Sequence, residues 1–179
     1  YSNIKITEGG KVTFTLTKDE KSIGPFISNL IGKFNVENAT AAIVMALETG
    51  VSVQDIQRGL ATFLGIKRRM DVRFDDGKRK VIDDFAHNTM KFKSAIEALR
   101  LHFPKEKLVV VAEPNIGSRT KESLPLFKDV FGGVDLLLLP EFSVTTLPGV
   151  IWAGDVYRMV KDDTSVVVIP DDEELVSRA

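Results

Sequence analysis

Cysteine is absent from all 179 residues. Disulfides, thiolate zinc sites and thiol nucleophiles are therefore excluded, and a reducing compartment such as the cytoplasm is compatible with the composition. Charge of one sign is missing too. The formal net charge of −1 gives no field that would draw nucleic acid or anionic lipid. No apolar run approaches the roughly 20 residues of a membrane-spanning helix, so neither a nucleic-acid nor a membrane partner is expected. Histidine occurs only at His87 and His102. The first residues, Tyr1-Ser2-Asn3, carry no initiator Met and no signal-peptide layout, so the chain is expected to begin inside a longer protein. There is no internal repeat and no low-complexity tract. What remains is 44% hydrophobic and 27% charged, enough to bury a core and stay soluble.

Two segment grammars follow one another. Ile4 and Ile6, then Val12, Phe14 and Leu16, alternate with polar residues on either side of Glu8-Gly9-Gly10, which predicts a β-hairpin. A less regular third strand is expected over 22–31, interrupted by Gly24-Pro25. Val36, Ala39, Ile43, Ala46 and Leu47 lie at helical spacing and Gly50 closes that helix; Ser52 caps a second, with Val53, Ile56, Leu60 and Phe63 on one face and Gly65 after it. Residues 71–75 and 78–84 read as a hairpin turning at Asp75-Asp76-Gly77, with its second strand central in the sheet that follows. Helices are expected over about 89–103, 121–131, 153–161 and from Asp171 onward. Between them lie the apolar runs Leu108–Ala112, Val134–Leu139 and Val166–Ile169. Short continuous apolar strands alternating with helices predict a mostly parallel sheet covered on both faces.

Two segments concentrate the chemistry. Phe63-Leu64-Gly65-Ile66-Lys67-Arg68-Arg69-Met70 sets three adjacent cations where a helical pattern stops. Arginine offers a planar, permanent charge suited to phosphate oxygens, against the plainer reading of a solvated linker. Val81-Ile82-Asp83-Asp84-Phe85-Ala86-His87-Asn88 ends a strand in two carboxylates, then offers His and Asn before a helix. Ligands of open α/β sheets bind outside the carboxyl ends of strands, where a carboxylate can accept from ribose hydroxyls; the alternative is a solvated strand end or a helix cap. Asn38 sits one turn into a small-residue helix, where an amide can pair with an adenine edge or simply face solvent. The polar loop Glu113-Pro114-Asn115-Ile116-Gly117-Ser118-Arg119-Thr120 follows a strand; Arg119 either clamps a carboxylate or belongs to an ordinary strand–helix connection. His102, near a helix C-terminus, suits the dipole as a cation. Gly32-Lys33 is not a phosphate loop, since Phe34 stands where Ser or Thr is needed. No Gly-x-Gly-x-x-Gly follows the first strand, which argues against a dinucleotide dehydrogenase.

Taken in order, Gly32 to Ala39, Phe63 to Met70 and Ile82 to Asn88 resemble the Mur ligase family, the ATP-dependent enzymes that build the peptide of the bacterial cell wall. Lys67 to Met70, Asp83 to His87 and Glu113-Pro114 look most like its alanine-adding and murein-peptide-recycling branches. The resemblance implies an α/β chain in which residues 1–68 are the tail of a central ATPase domain and residues 69–179 a Rossmann-like C-terminal domain. It implies ATP and Mg2+ as cofactors, with the main magnesium ligands and the phosphate loop upstream and no metal ligand here. It implies a UDP-muramyl substrate and an amino acid or peptide as partners. By position, Asn38 resembles the adenine-contacting amide, Arg69 the interdomain arginine on the ATP phosphates and Asp84 the ribose carboxylate. His87 and Asn88 would line the same cleft, with Arg69 and His87 in catalysis, and Asn115 and Arg119 would hold the incoming amine. Three places depart from the family pattern: Phe34 for His, Thr89-Met90 after His87-Asn88 for a Pro-acidic or Pro-polar pair, and Asn115-Ile116 for His-Arg. These departures leave a non-catalytic binding module of the same fold as the alternative.

Overall fold

The computed structural model describes residues 1–7, 10–141 and 149–178; Glu8 and Gly9 of the expected first turn, and Ala179, lie outside them. The chain divides into two compact units, Tyr1–Phe85 and Ala86–Ala179.

In the first unit, strands β1 (Ser2–Ile6), β2 (Val12–Lys18) and β3 (Lys21–Ser28) form an antiparallel sheet in that order. Period-2 alternation in β2 turns Val12, Phe14 and Leu16 inward, each no more than 4% exposed. Phe14 packs on Phe26 with ring centroids 5.7 Å apart, a tilted pairing that adds about 0.5–1.5 kcal/mol to burial alone. The third strand stops at Ser28 rather than running to residue 31, because the Ser28 hydroxyl takes the Leu30 amide at 3.1 Å and turns the chain. Helices α1 (Lys33–Glu48) and α2 (Val53–Thr62) cover the sheet with Val36, Ala39, Ile43 and Ile56. α1 closes as expected at Gly50, whose φ of 85° lets its amide reach Leu47 O while the Val51 amide reaches Ala46 O. α2 starts under a Ser52 cap that accepts from the Asp55 amide at 3.1 Å.

The unit ends in a two-stranded antiparallel ribbon, β4 (Asp71–Asp75) and β5 (Lys80–Asp83). This corrects one expectation. Among the described residues, β5 pairs with β4 and is not a central strand of the parallel sheet. The Asp76 carboxylate accepts the Lys78 and Arg79 amides at 2.9 and 2.6 Å, so the turn closes locally and commits the two strands to each other.

The second unit is built from α3 (Thr89–His102), β6 (Val109–Val111), β7 (Leu136–Pro140), α4 (Ala153–Val160), β8 (Val166–Ile169) and α5 (Asp172–Arg178). Its sheet is parallel in the order β6-β7-β8. Leu137, Leu138 and Leu139 are fully buried, so both faces of β7 are covered. β6 is not: Val109 and Val111 remain 36% and 48% exposed. Phe92 and Ile96 of α3, Phe127 and Phe131, and Val156 and Val160 of α4 complete one core. The helix expected over 121–131 is only a 3-10 turn at Leu124–Phe127. Pro125 lacks the amide a longer helix needs, and Asp129 takes a φ of 60° that ends any helical path. No helix among the described residues is long and apolar enough to cross a membrane.

Candidate functional site

The two chemically dense segments meet within the first unit. After α2 the chain passes Gly65, whose φ of 93° favours glycine; a Cβ there would lie 2.9 Å from Leu30 Cδ2, so the Leu30 side chain would have to shift. Arg68 and Met70 also take left-handed conformations, with φ of 60° and 50°. For residues that carry a Cβ this costs about 1–2 kcal/mol each, so something must hold them. The holding groups come from the other segment. The Phe85 amide donates to Arg68 O at 2.8 Å, and the Met70 amide donates to Asp84 Oδ2 at 2.9 Å. Arg68 Nε lies 3.6 Å from Asp83 Oδ2, and the Arg68 amide donates to Asp71 Oδ2 at 3.3 Å. Above this frame both guanidinium groups sit over one ring: Arg68 Cζ is 4.9 Å and Arg69 Cζ 5.5 Å from the Phe85 centroid. The result is an exposed pair of permanent cations on a fixed loop, next to a half-buried carboxylate. Such a pair suits phosphate oxygens, and the carboxylate suits hydroxyl donors.

The second unit holds its own cluster. Asn88 is the N-cap of α3; its Oδ1 accepts the Lys91 amide at 3.0 Å. His87, half-buried, has Nε2 3.3 Å from Lys91 Nζ. The carbonyl of His87 accepts the Asn115 amide at 3.0 Å, which ties the 113–119 loop to the start of α3. Arg119 stitches that loop to itself. Its Nε donates to Pro114 O at 2.7 Å and its Nη2 to Glu113 Oε1 at 2.6 Å, leaving the side chain only 13% exposed. Asn115 is exposed at the loop's crest. His102 departs from expectation: half-buried, it has its pKa pushed down by burial, so the neutral imidazole and not the cation is favoured at the end of α3. Its Nδ1 lies 3.0 Å from Ala98 O.

A family model described as "Mur ligase, glutamate ligase domain" matches residues 68–179. The chain belongs to the Mur ligase family. It is similar to the UDP-N-acetylmuramate–L-alanine ligase of Lactobacillus delbrueckii subsp. bulgaricus, 38% identical over 139 residues that cover 78% of this chain and 31% of that protein. The chain thus spans about a third of the length of the curated relatives it matches. Among solved structures, the UDP-N-acetylmuramate–alanine ligase of Thermotoga maritima superposes with a TM-score of 0.71 at 21% identity, covering 89% of this chain and 35% of that one. The MurF ligase of Thermotoga maritima in complex with ADP superposes with a TM-score of 0.64 at 19% identity, covering 99% and 38%. These two likenesses show the shared fold.

In this Mur ligase chain, the structure gathers the site residues expected from sequence into two groups. Arg69 and Asp84 share the interlocked loop of the first unit; His87, Asn88, Asn115 and Arg119 share the second unit's cluster. Asn38 lies apart from both groups' bonding, exposed on α1. Sequence reading passed over three side chains that the structure brings in: Phe85 beneath the arginines, Lys91 beside His87 and Glu113 beside Arg119. The four-residue spacing of His87 and Lys91 at a helix start was a usable signal; Phe85 and Glu113 stand in segments already singled out, but no spacing ties either to its arginine. The chemistry of Arg68, Arg69 and Asp84 fits the phosphates and ribose of a nucleotide. Among the described residues no group of three or more His, Asp or Glu side chains is arranged to hold a metal ion.

Proposed function

We propose that this chain supplies the C-terminal part of an ATP-dependent amide ligase of peptidoglycan synthesis or recycling. The ligase would join an amino acid or peptide to the carboxylate of a UDP-N-acetylmuramate-type acceptor. A carboxylate oxygen attacks the γ-phosphorus of ATP and ADP leaves; the amine then attacks the acyl carbon and phosphate departs. Such catalysis is mostly positioning and charge neutralisation. The observation that carries the reading is the interlock of the arginine segment with the acid-tipped strand, Met70 N to Asp84 Oδ2 at 2.9 Å, in a chain of this family. Residues 1–68 belong in this reading to the ATPase domain and 69–179 to the C-terminal domain. Arg69 serves the phosphates, Asp84 the ribose, and Asn38 and Asn88 the rest of the nucleotide, with His87 beside the reacting groups. Asn115 faces the incoming amine on a loop shaped by Arg119. Magnesium falls to residues other than these, and the enzyme is assigned to the cytoplasm, without nucleic-acid or membrane partners.

The test is phosphate release by the full-length protein in the presence of ATP, a UDP-muramyl acceptor and an amine. Arg69→Ala and Asp84→Ala should each lower kcat/KM, the arginine by on the order of 10²-fold, the usual cost of removing one charge-stabilising group. Turnover that survives both substitutions sinks the assignment of these residues. A full-length protein that releases no phosphate with any amine is a binding module of the same fold.

A further inference from the structure

We infer that Phe85 is a positioning residue: its ring holds the Arg68 and Arg69 guanidinium groups side by side as a two-pronged clamp for a polyphosphate. The inference rests on the nucleotide-binding reading above and adds a part that reading does not contain. Adjacent arginines on a mobile loop would spread apart, since like charges repel and each side chain has many rotamers. Here both Cζ atoms are within 5.5 Å of one centroid. Attraction of each cation to the ring offsets the repulsion, and the Phe85 backbone is locked to the same loop through Phe85 N to Arg68 O at 2.8 Å. The loop is locked a second time by Met70 N to Asp84 Oδ2, so the ring and the backbone that carries both cations are tied together. The two arginines are not equivalent. Arg68 leans on Asp83 at 3.6 Å, whereas among the described residues no carboxylate is ion-paired with Arg69. Stacking uses the flat face of a guanidinium and leaves its N–H edge for another acceptor. Phe85 keeps 44% of its surface exposed, so the ring is not there to fill a core.

The experiment uses the 179-residue chain and inorganic tripolyphosphate as probe. In the wild type, the δ-methylene protons of Arg68 and Arg69 should show upfield ring-current shifts, lost in Phe85→Leu. Tripolyphosphate affinity should fall about two- to fivefold in Phe85→Leu for each guanidinium released, the size of an exposed cation–π contact. It should hold or rise in Phe85→Trp. Replacing Phe85 by mono-, di- and trifluorophenylalanine keeps its shape while draining the ring face, so affinity should decline stepwise; this arm stands even where Phe85→Leu misfolds. Wild-type δ-protons without upfield shifts overturn the stack. A flat fluorination series, or no tripolyphosphate binding by the wild type at millimolar concentration, overturns the clamp. Arg69→Ala that binds tripolyphosphate as the wild type does, with the ring-current shift of Arg68 intact, also overturns the clamp; full-length turnover unchanged by Arg69→Ala overturns instead the nucleotide reading on which the clamp rests.

Discussion

Asp84→Ala should release the Met70 amide, and the size of that release can be worked from the geometry. Met70 is 6% exposed and left-handed at φ 50°, and its N–H donates to Asp84 Oδ2 at 2.9 Å. A hydrogen bond to a charged acceptor contributes about 1.5–3 kcal/mol, and the conformation it supports costs about 1–2 kcal/mol. With the carboxylate gone, the amide is left buried without its acceptor and the strain is no longer offset. Because the chain folds as two units, a global unfolding curve would mix contributions; the appropriate assay is native-state hydrogen exchange read at the Met70 amide. Asp84→Ala should speed exchange there by roughly 10- to 150-fold, the equivalent of that energy. Asp84→Asn keeps an acceptor but not the charge and should speed it by only about fivefold, roughly the 1 kcal/mol that separates charged from neutral acceptors. Amides in α1 should be unchanged by either. If Met70 exchanges equally fast in wild type and Asp84→Ala, the carboxylate does not hold the loop.

Two further outcomes follow from the second unit. Phe131 is 1% exposed and meets Phe92 at 5.8 Å, so Phe131→Ala should destabilise that unit by about 3–5 kcal/mol; a loss below about 1 kcal/mol in urea denaturation followed at α3 would mean that the core is not packed as described. His102 has its pKa lowered by burial, so below its ordinary value of 6.5 the unfolded chain binds the proton more readily. Stability of the 86–179 unit should therefore fall as pH drops below about 6.5, and His102→Leu should flatten that slope; a slope unchanged by the substitution assigns the effect to other groups.

Local signals carried well from sequence to structure. Ser52 caps α2, Gly50 closes α1, and α3 and α4 fall where their apolar spacing put them, because each depends on residues within one or two turns. The family reading rested on segment order, and the family it named is the one whose model matches residues 68–179. What was not legible depended on distant partners or on one local veto. Pro125 cancels a helix that the surrounding pattern favours. The hairpin of β4 and β5 was legible from its turn, but that it stays apart from the parallel sheet was not, since an apolar run does not announce its sheet. The stack of two arginines on Phe85 needs Arg68 and Met70 in conformations that residues with a Cβ rarely adopt, so no propensity points to it. Arg119 shows the same limit. Its charge suggested a ligand contact, and its position 2.7 Å from Pro114 O and 2.6 Å from Glu113 adds an internal duty that no spacing announces.

That internal duty has a thermodynamic side. A connection of seven residues held by two bonds from one of its own side chains, and by a third from His87 O, has already surrendered much of its conformational entropy before any ligand arrives. A molecule that meets Asn115 meets a surface shaped in advance and does not pay to order it. Association at this loop should then resemble rigid docking, with little rearrangement between the empty and the occupied state. Selectivity there would come from fit to a fixed outline and not from a loop that closes around whatever enters.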